Sequence, residues 1–214
     1  SVSSDYQRWN LASFMGRVNY NYKDRYLLTV SARYDGSSRL APGHKWVLFP
    51  SAALAWRVKE ESFLKDVDCL SNLKLRLGWG ITGNTAIDPY KTQGNLEYGR
   101  YSYGSNGVLA FYQKEMPNPN LSWEKTEQWN AGIDFGFLNG RIGGSVDLYL
   151  QNTNDLLMDR QLPIVSGFGN VTTNIGQIRN KGLEVTLNTV NIDTKDFKWT
   201  TDFMFSVNKE EIVE

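Results

Sequence analysis

The sequence predicts an all-β protein, made of about eight long antiparallel strands of a transmembrane β-barrel. Three observations lead to this prediction. Eight segments alternate apolar and polar residues, the connections between them are alternately short and long, and aromatic residues are concentrated near the segment ends. Most of the segments are longer than the ~5–6 residues usual for globular strands. The eight segments are 12–22, 28–35, 51–58, 73–82, 128–137, 142–151, 183–188 and 198–208.

The first four segments place apolar side chains at every second residue, as a strand with one apolar face requires. The opposite positions are mostly polar, small or charged. The apolar positions are Ala12, Phe14, Val18, Tyr20 and Tyr22, then Leu28, Val30, Ala32 and Tyr34, then Ala52, Leu54, Trp56 and Val58, then Leu73, Leu75, Leu77, Trp79 and Ile81.

The last four segments repeat the pattern, and no charged residue falls on the apolar face of any segment. Charges on the polar face, such as Arg76 and Asp134, predict cross-strand ion pairs on a polar wall. The apolar positions are Trp129, Ala131, Ile133, Phe135 and Phe137, then Ile142, Val146, Leu148 and Leu150, then Leu183, Val185 and Leu187, then Trp199, Phe203, Phe205 and Val207.

The connections favour a membrane barrel over a soluble sandwich, since alternation alone fits both. Outer-membrane barrels have short periplasmic turns and long extracellular loops, whereas a sandwich has no reason to sort its loops by end. The short connections are 23–25, 138–141 with the hairpin signal Asn139-Gly140, 189–196, and the charged stretch 59–72 with room for one helical turn. The long connections are 36–48, 83–122 and 152–178.

Aromatic residues form two expected belts, one near each end of the strands. Amphipathic rings favour the depth of the lipid headgroups, so two belts around an aliphatic band indicate two membrane interfaces. The expected short-turn belt is Tyr20, Tyr22, Tyr26, Trp56, Phe137 and Trp199, and the expected long-loop belt is Phe14, Tyr34, Phe49, Trp79, Trp129 and Phe205.

Composition excludes several classes of function. The 23 basic residues balance 23 acidic ones, which argues against a nucleic-acid binder. A single cysteine, Cys69, and a single histidine, His44, leave few ways to build a metal or catalytic site. The carboxylates at 60–61 and at 66 and 68 are expected to be solvated turn charges. We therefore expect no enzymatic activity and no cofactor.

Several segments together resemble the SusC/RagA-like TonB-dependent outer-membrane transporters of Bacteroidota-type bacteria. The resemblance covers nearly the whole chain. It is carried by GRVNYNYKDRYLLTVSARYDGSSRL (16–40), WVLFPSAALAWRV (46–58), LSNLKLRLGWGITGN (70–84), NPNLSWEKTEQWNAGIDFGFLNGRI (118–142), NTNDLLM (152–158), NIGQIRNKGLEVTLN (174–188) and FKWTTDFMFSVNKEEIV (197–213).

The resemblance implies a plugged barrel of about 22 strands that imports oligosaccharides or oligopeptides across the outer membrane. It also implies a SusD-like surface lipoprotein above the barrel and TonB below it. Residues 1–214 are then one part of the barrel domain. The family's plug and TonB box have no counterpart here, and both ends of the chain fall on the long-loop side, so we expect eight consecutive strands of a larger wall.

The long connection 83–122 holds the candidate substrate-binding residues. Tyrosine rings can stack on sugars or pack on peptides, and an arginine can donate hydrogen bonds. These candidates are Tyr90, Tyr98, Arg100, Tyr101, Tyr103, Phe111 and Tyr112.

Two alternatives remain open from the sequence. One is a soluble β-sandwich that binds carbohydrate through its aromatic residues. The other is a self-contained eight-stranded barrel that acts as an adhesin or structural protein, in which the first and last strands pair with each other.

Overall fold

The computed structural model describes residues 6–213, which fold into strands, turns and two short 3₁₀ turns at Val58–Glu60 and Ile164–Ser166. Within residues 6–213 there is no helix long and apolar enough to cross a membrane. The strands are β1 (Leu11–Tyr22), β2 (Tyr26–Ser37), β3 (Trp46–Arg57), β4 (Leu70–Asn84), β5 (Leu96–Tyr103), β6 (Asn106–Gln113), β7 (Glu124–Phe137), β8 (Ile142–Asn154), β9 (Leu157–Gln161), β10 (Asn170–Asn174), β11 (Gln177–Asp193) and β12 (Lys198–Ile212).

Eight strands form one antiparallel sheet in the order β1, β2, β3, β4, β7, β8, β11, β12. These strands contain the eight predicted segments except for Val58, which lies in the first 3₁₀ turn, so the predicted all-β antiparallel fold is confirmed. β11 begins at Gln177, well before the predicted start at 183. Its first six residues, QIRNKG, do not alternate apolar and polar side chains, so the sequence pattern did not predict a strand there.

The remaining four strands form two separate hairpins, β5–β6 and β9–β10. Both lie inside long connections that the alternation pattern treats as loops. In β5–β6 large apolar and aromatic residues occupy both faces, so no single apolar face marks it as a strand pair.

Two short connections are tight turns. Lys23 and Asp24 have φ of 54° and 52°, and Leu138 and Asn139 have φ of 54° and 53°. Two successive residues with positive φ give the turn that matches the twist of a hairpin. The predicted turn at 139–140 is therefore centred one residue earlier, and the Gly140 N–H donates to the Phe137 carbonyl at 3.1 Å.

The register aligns the apolar faces of all eight strands into one surface. A single row of direct register partners takes one residue from each strand, and every member is apolar or aromatic: Tyr20, Leu28, Leu54, Leu77, Ala131, Leu148, Leu183 and Val207.

No second layer covers this apolar surface in the part of the chain that the structure describes. Leu77, Leu148 and Phe203 are 58%, 55% and 55% exposed. A sandwich would bury these side chains beneath an opposing sheet. The sandwich alternative is therefore not supported.

The sheet is open, with β1 and β12 as its edges. Over the described residues the two edge strands do not pair with each other. The self-contained eight-stranded barrel is therefore wrong as a description of this sheet.

The short-turn belt is present as a series of stacked rings. Tyr20 and Tyr22, Tyr22 and Tyr26, and Tyr26 and Trp56 have ring centroids 6.5, 6.4 and 6.2 Å apart. Near the short turn between β7 and β8, Phe137 lies 5.9 Å from Phe135.

The long-loop belt differs from the expected one. Trp46, which was not predicted, stacks on Tyr34 and Phe14 at 5.0 and 6.2 Å, and Trp79 contacts Trp129 at 5.9 Å. Phe205 stands in the middle of β12, with Val207 and further outward positions beyond it.

Phe49 does not belong to either belt. It pairs in register with Arg33 of the polar face, and it is 4% exposed. It forms a small buried cluster at the long-loop end with Leu40, Leu121 and Trp123. The alternation breaks at this point of β3, so a position near the strand end was not enough to assign its face.

Candidate functional site

Six of the seven predicted binding residues lie on the β5–β6 hairpin. The pairs Tyr98–Phe111 and Arg100–Leu109 are neighbours in register, and since alternate residues share a face, these four side chains lie together. The opposite face is formed by Tyr101, Tyr103, Val108 and Tyr112.

Both faces of the hairpin are exposed. Tyr98 and Phe111 are 69% and 67% exposed on one face, and Tyr103 is 77% exposed on the other. The second face has internal partners, because the Tyr112 hydroxyl and the Lys114 ammonium both donate to Glu97, at 3.2 and 3.3 Å. The first face therefore has more side chains free to contact a solute.

Tyr90 lies apart from the other six. Its hydroxyl accepts from the Arg8 backbone N–H at 3.2 Å and lies 3.3 Å from the Arg8 carbonyl oxygen, to which it can donate. Its φ of 71° is unusual for a bulky residue. These contacts fasten the segment before β1 to the loop, which is a structural role that the composition of the loop could not reveal.

The base of the hairpin is held by a shielded ion pair. The Lys91 ammonium lies 2.7 Å from both carboxylate oxygens of Glu115, and the two side chains are only 13% and 19% exposed. The Met116 N–H then donates to the Asn170 carbonyl of β10 at 3.2 Å. One hairpin is thereby attached to the other.

Further hydrogen bonds tie the long connections into one unit, here called the loop base (residues 38–45, 114–123 and 155–176). The Asn174 amide donates to the carbonyls of Ser122 and Asp155 at 2.9 and 3.0 Å and accepts from the Ser122 N–H at 2.8 Å. The Trp123 indole donates to the Lys45 carbonyl at 2.9 Å.

The polar face of the sheet carries the predicted ion pairs. The Arg76 guanidinium of β4 binds Asp134 of β7 through two nitrogens at 2.7–3.0 Å and Asp147 of β8 at 2.8 Å. Gly132 leaves the necessary space, because a β-carbon there would lie 2.3 Å from an Asp147 oxygen. Three neighbouring strands are thereby linked on the polar face of the sheet.

Lys74 of β4 is a further cross-strand partner of Asp134, at 3.6 Å. Arg33, Arg57 and Asp202 have other partners. Arg33 binds Asp35 of its own strand at 2.7 Å, and Arg57 lies 3.5 Å from Glu60. Asp202 accepts from the Asn188 amide at 2.7 Å.

Glu61 corrects the expectation of a solvated turn charge. Its carboxylate accepts from the Tyr26 hydroxyl at 2.7 Å, the Trp56 indole at 3.1 Å and Arg25 at 3.2 Å, and its side chain is 13% exposed. The bond from Tyr26, followed by that from Trp56, lowers the pKa of Glu61 below its ordinary value. Sequence spacing gave no signal for this contact, because it depends on how the 59–72 connection folds back on the belt.

The described residues hold no group of three or more histidine, cysteine, aspartate or glutamate side chains placed to bind a metal. Cys69 is an exposed free thiol.

Comparison with known proteins places this sheet in a family. Residues 1–210 match the family model described as TonB dependent receptor-like, beta-barrel. The TonB-dependent receptor SusC of Bacteroides thetaiotaomicron is 46% identical over 97% of the chain, and the TonB-dependent receptor P26 of Formosa agariphila is 39% identical over 100% of it.

A solved structure gives the same result. The RagAB peptide importer in its 'open-open' state superposes with a TM-score of 0.88 at 30% identity over 96% of the chain. The chain spans only about a fifth of the length of these relatives, 21% of SusC and 22% of both P26 and the matched importer chain. The chain belongs to the TonB-dependent receptor-like β-barrel family of the bacterial outer membrane.

Proposed function

We propose that this chain forms wall strands and external loops of an outer-membrane importer of oligosaccharides or oligopeptides. The observation that carries the proposal is the combination of an uncovered apolar sheet face with a hydrogen-bonded loop base that presents an aromatic hairpin. The name of the RagAB peptide importer supports the peptide class, and the resemblance to SusC/RagA-like transporters implies the oligosaccharide class. Residues 1–214 are part of one barrel domain, and no catalytic step is assigned to them.

The partners of the whole protein are inferred in the same way. A SusD-like lipoprotein covers the long-loop side, and TonB acts from the periplasm through a region outside residues 1–214. Outer-membrane lipid surrounds the apolar face.

Cargo contact is assigned to one face of the β5–β6 hairpin, that of Tyr98, Arg100 and Phe111. This face combines two exposed rings with a guanidinium, and rings plus a few polar donors are what a sugar or peptide requires. Tyr101, Tyr103 and Tyr112 share the other face with the internal bonds to Glu97, and Tyr90 is bonded to Arg8, so these four residues are assigned to packing.

The experiment compares two matched triple variants of the full-length receptor produced with its lipoprotein. Cargo is first identified by growth of a deletion strain on defined glycans and peptides, and its affinity is then measured by calorimetry. Tyr98→Ala/Arg100→Ala/Phe111→Ala is expected to weaken cargo binding by about tenfold or more, equivalent to about 1.4 kcal/mol. Tyr101→Ala/Tyr103→Ala/Tyr112→Ala is expected to change it less than about threefold.

The importer proposal and the hairpin assignment fail in different ways. If the deletion strain grows on every glycan and peptide that the parent uses, the importer proposal is wrong. If growth is lost but the first triple variant binds cargo as the parent does, only the hairpin assignment is wrong.

A further inference from the structure

The outward face of β11 and β12 changes from apolar to basic toward the long-loop end, whereas the next outward positions of the neighbouring β8 are Leu150 and Asn152. Leu148, Leu183 and Val207 are direct register partners and form the last fully apolar row on these three strands. The next outward positions along β11 and β12 are Lys181 and Lys209, which again face each other in register.

The next outward position along β11 beyond Lys181 is Arg179, which is also basic. Outward positions are two residues apart and a strand rises about 3.4 Å per residue, so the lysines lie about 7 Å beyond the apolar row and Arg179 about 14 Å beyond it. We call Arg179, Lys181 and Lys209 the basic rim.

The basic rim carries more positive charge than the nearby carboxylates neutralise. Two lysines directly opposite each other destabilise a strand pair unless an anion lies between them. Glu211 is the nearby carboxylate, 2.5 Å from Lys209 and 3.9 Å from Lys181. Arg179 donates to the neutral amide oxygen of Asn152 at 2.8 Å. Three cations therefore share one carboxylate.

Neighbouring outward positions do not supply the missing charge. On β7, Lys125 and Glu127 have opposite charges, and Glu127 accepts from the indoles of Trp79 and Trp129 at 2.8 and 3.1 Å. Lys181 and Lys209 remain 51% and 65% exposed.

We propose that the basic rim binds the phosphorylated headgroup of a lipid in the outer leaflet. The long loops mark the extracellular side, so the rim lies at the outer interface. Long cationic side chains at that depth extend toward headgroup phosphates, and they attract anionic lipid. The acyl chains of the same lipid lie on the apolar row of Leu148, Leu183 and Val207.

Continuity with the apolar row favours a lipid over a free phosphate ion, which would gain nothing from the leucines. A carboxylate from another strand beside β12 could approach Lys209, but Lys181 lies one strand further in. The lipid headgroup can contact all three cations of the rim at once.

The test uses the full-length receptor purified in detergent and titrated with lipid A, followed by native mass spectrometry and by the shift in melting temperature. The unchanged receptor is expected to bind lipid A at least about tenfold more tightly than dephosphorylated lipid A. Arg179→Gln/Lys181→Gln/Lys209→Gln is expected to lose that preference. The matched control, Lys23→Gln/Lys65→Gln/Lys195→Gln, removes three charges from the short-turn side and is expected to keep it.

A second variant distinguishes the loss of charge in the first variant from its misfolding. Arg179→Lys/Lys181→Arg/Lys209→Arg keeps the charge and is expected to retain the preference for phosphorylated lipid. Equal binding of the two lipids, an unchanged preference in the glutamine variant, or full displacement of the lipid by inorganic phosphate would each overturn the proposal.

Discussion

At the scale of single residues, glycine and charge act together on the polar face of the sheet. Arg76 is held by Asp134 and Asp147 from two other strands, and Gly132 lies beneath the contact. The charges could be expected from the sequence because they fall on the polar face. The need for glycine could not, since it depends on which residues become neighbours across three strands.

Gly132→Ala is expected to destabilise the receptor by about 1–3 kcal/mol, because the new methyl group would displace Arg76 or Asp147. Gly78→Ala is the matched control on the same face, where the nearest atom lies 3.7 Å from the new carbon. Denaturant unfolding of the full-length receptor in detergent measures both. Equal stability of the two variants would show that the side chains of Arg76 and Asp147 can shift to accommodate the methyl group without loss of stability.

The contacts of the Glu61 carboxylate are expected to make the stability of the folded protein depend on pH. Its pKa is lower in the folded protein than its ordinary value of 4.5. The carboxylate therefore stabilises the fold fully at pH values above 4.5, and this contribution is lost as the pH falls through the lowered pKa.

Glu61→Gln is expected to lower the melting temperature near neutral pH and to reduce its fall on acidification. Glu60→Gln, at an exposed neighbour, is expected to leave both unchanged. Melting curves of the full-length receptor between about pH 7 and about pH 3.5 provide the measurement. A variant curve that runs parallel to the parent curve would contradict the assignment.

At the scale of elements, the predictions succeeded where a single face was apolar and failed where apolar residues lay on both faces or on neither. The strands of the large sheet alternate over most of their length, with a break at Phe49 of β3, and they were found in order. The hairpins β5–β6 and β9–β10 were missed, and so was the polar start of β11. The two hairpins are joined by the hydrogen bond from Met116 to Asn170, and the start of β11 is held by pairing with β8 and β12.

Asn174→Ala is expected to loosen the loop base, because it removes three hydrogen bonds between residues 122, 155 and 174. At about 0.5–1.5 kcal/mol for each bond, backbone amides of the loop base should exchange at least about tenfold faster. Hydrogen exchange of the full-length receptor measures this. Asn170→Ala keeps the backbone bond to Met116 and is expected to exchange as the parent does.

At the scale of the whole molecule, the sheet is open, and the chain spans about a fifth of the length of its barrel-forming relatives. Its edges, β1 and β12, leave backbone groups unpaired, and hydrocarbon does not tolerate unpaired edges. Its apolar face is uncovered along all eight strands. Family membership could be predicted from the sequence because several of its segments resemble that family.

Residues 1–214 produced alone are therefore expected to aggregate in water or to require detergent. Analytical ultracentrifugation with and without detergent measures this. A monodisperse, water-soluble monomer would contradict the lipid-facing assignment of the apolar surface.

The shared hydrogen bonds of the loop base also bear on how such receptors diversify. Three loops meet there. Asn174 joins 155–176 to 114–123, and Trp123 joins 114–123 to 38–45, so a substitution at either residue affects two loops at once. The tip of the β5–β6 hairpin is attached to the loop base but lies outside it. Under the proposed function, the tip can therefore change, and with it the cargo, without disturbing the hydrogen bonds of the loop base.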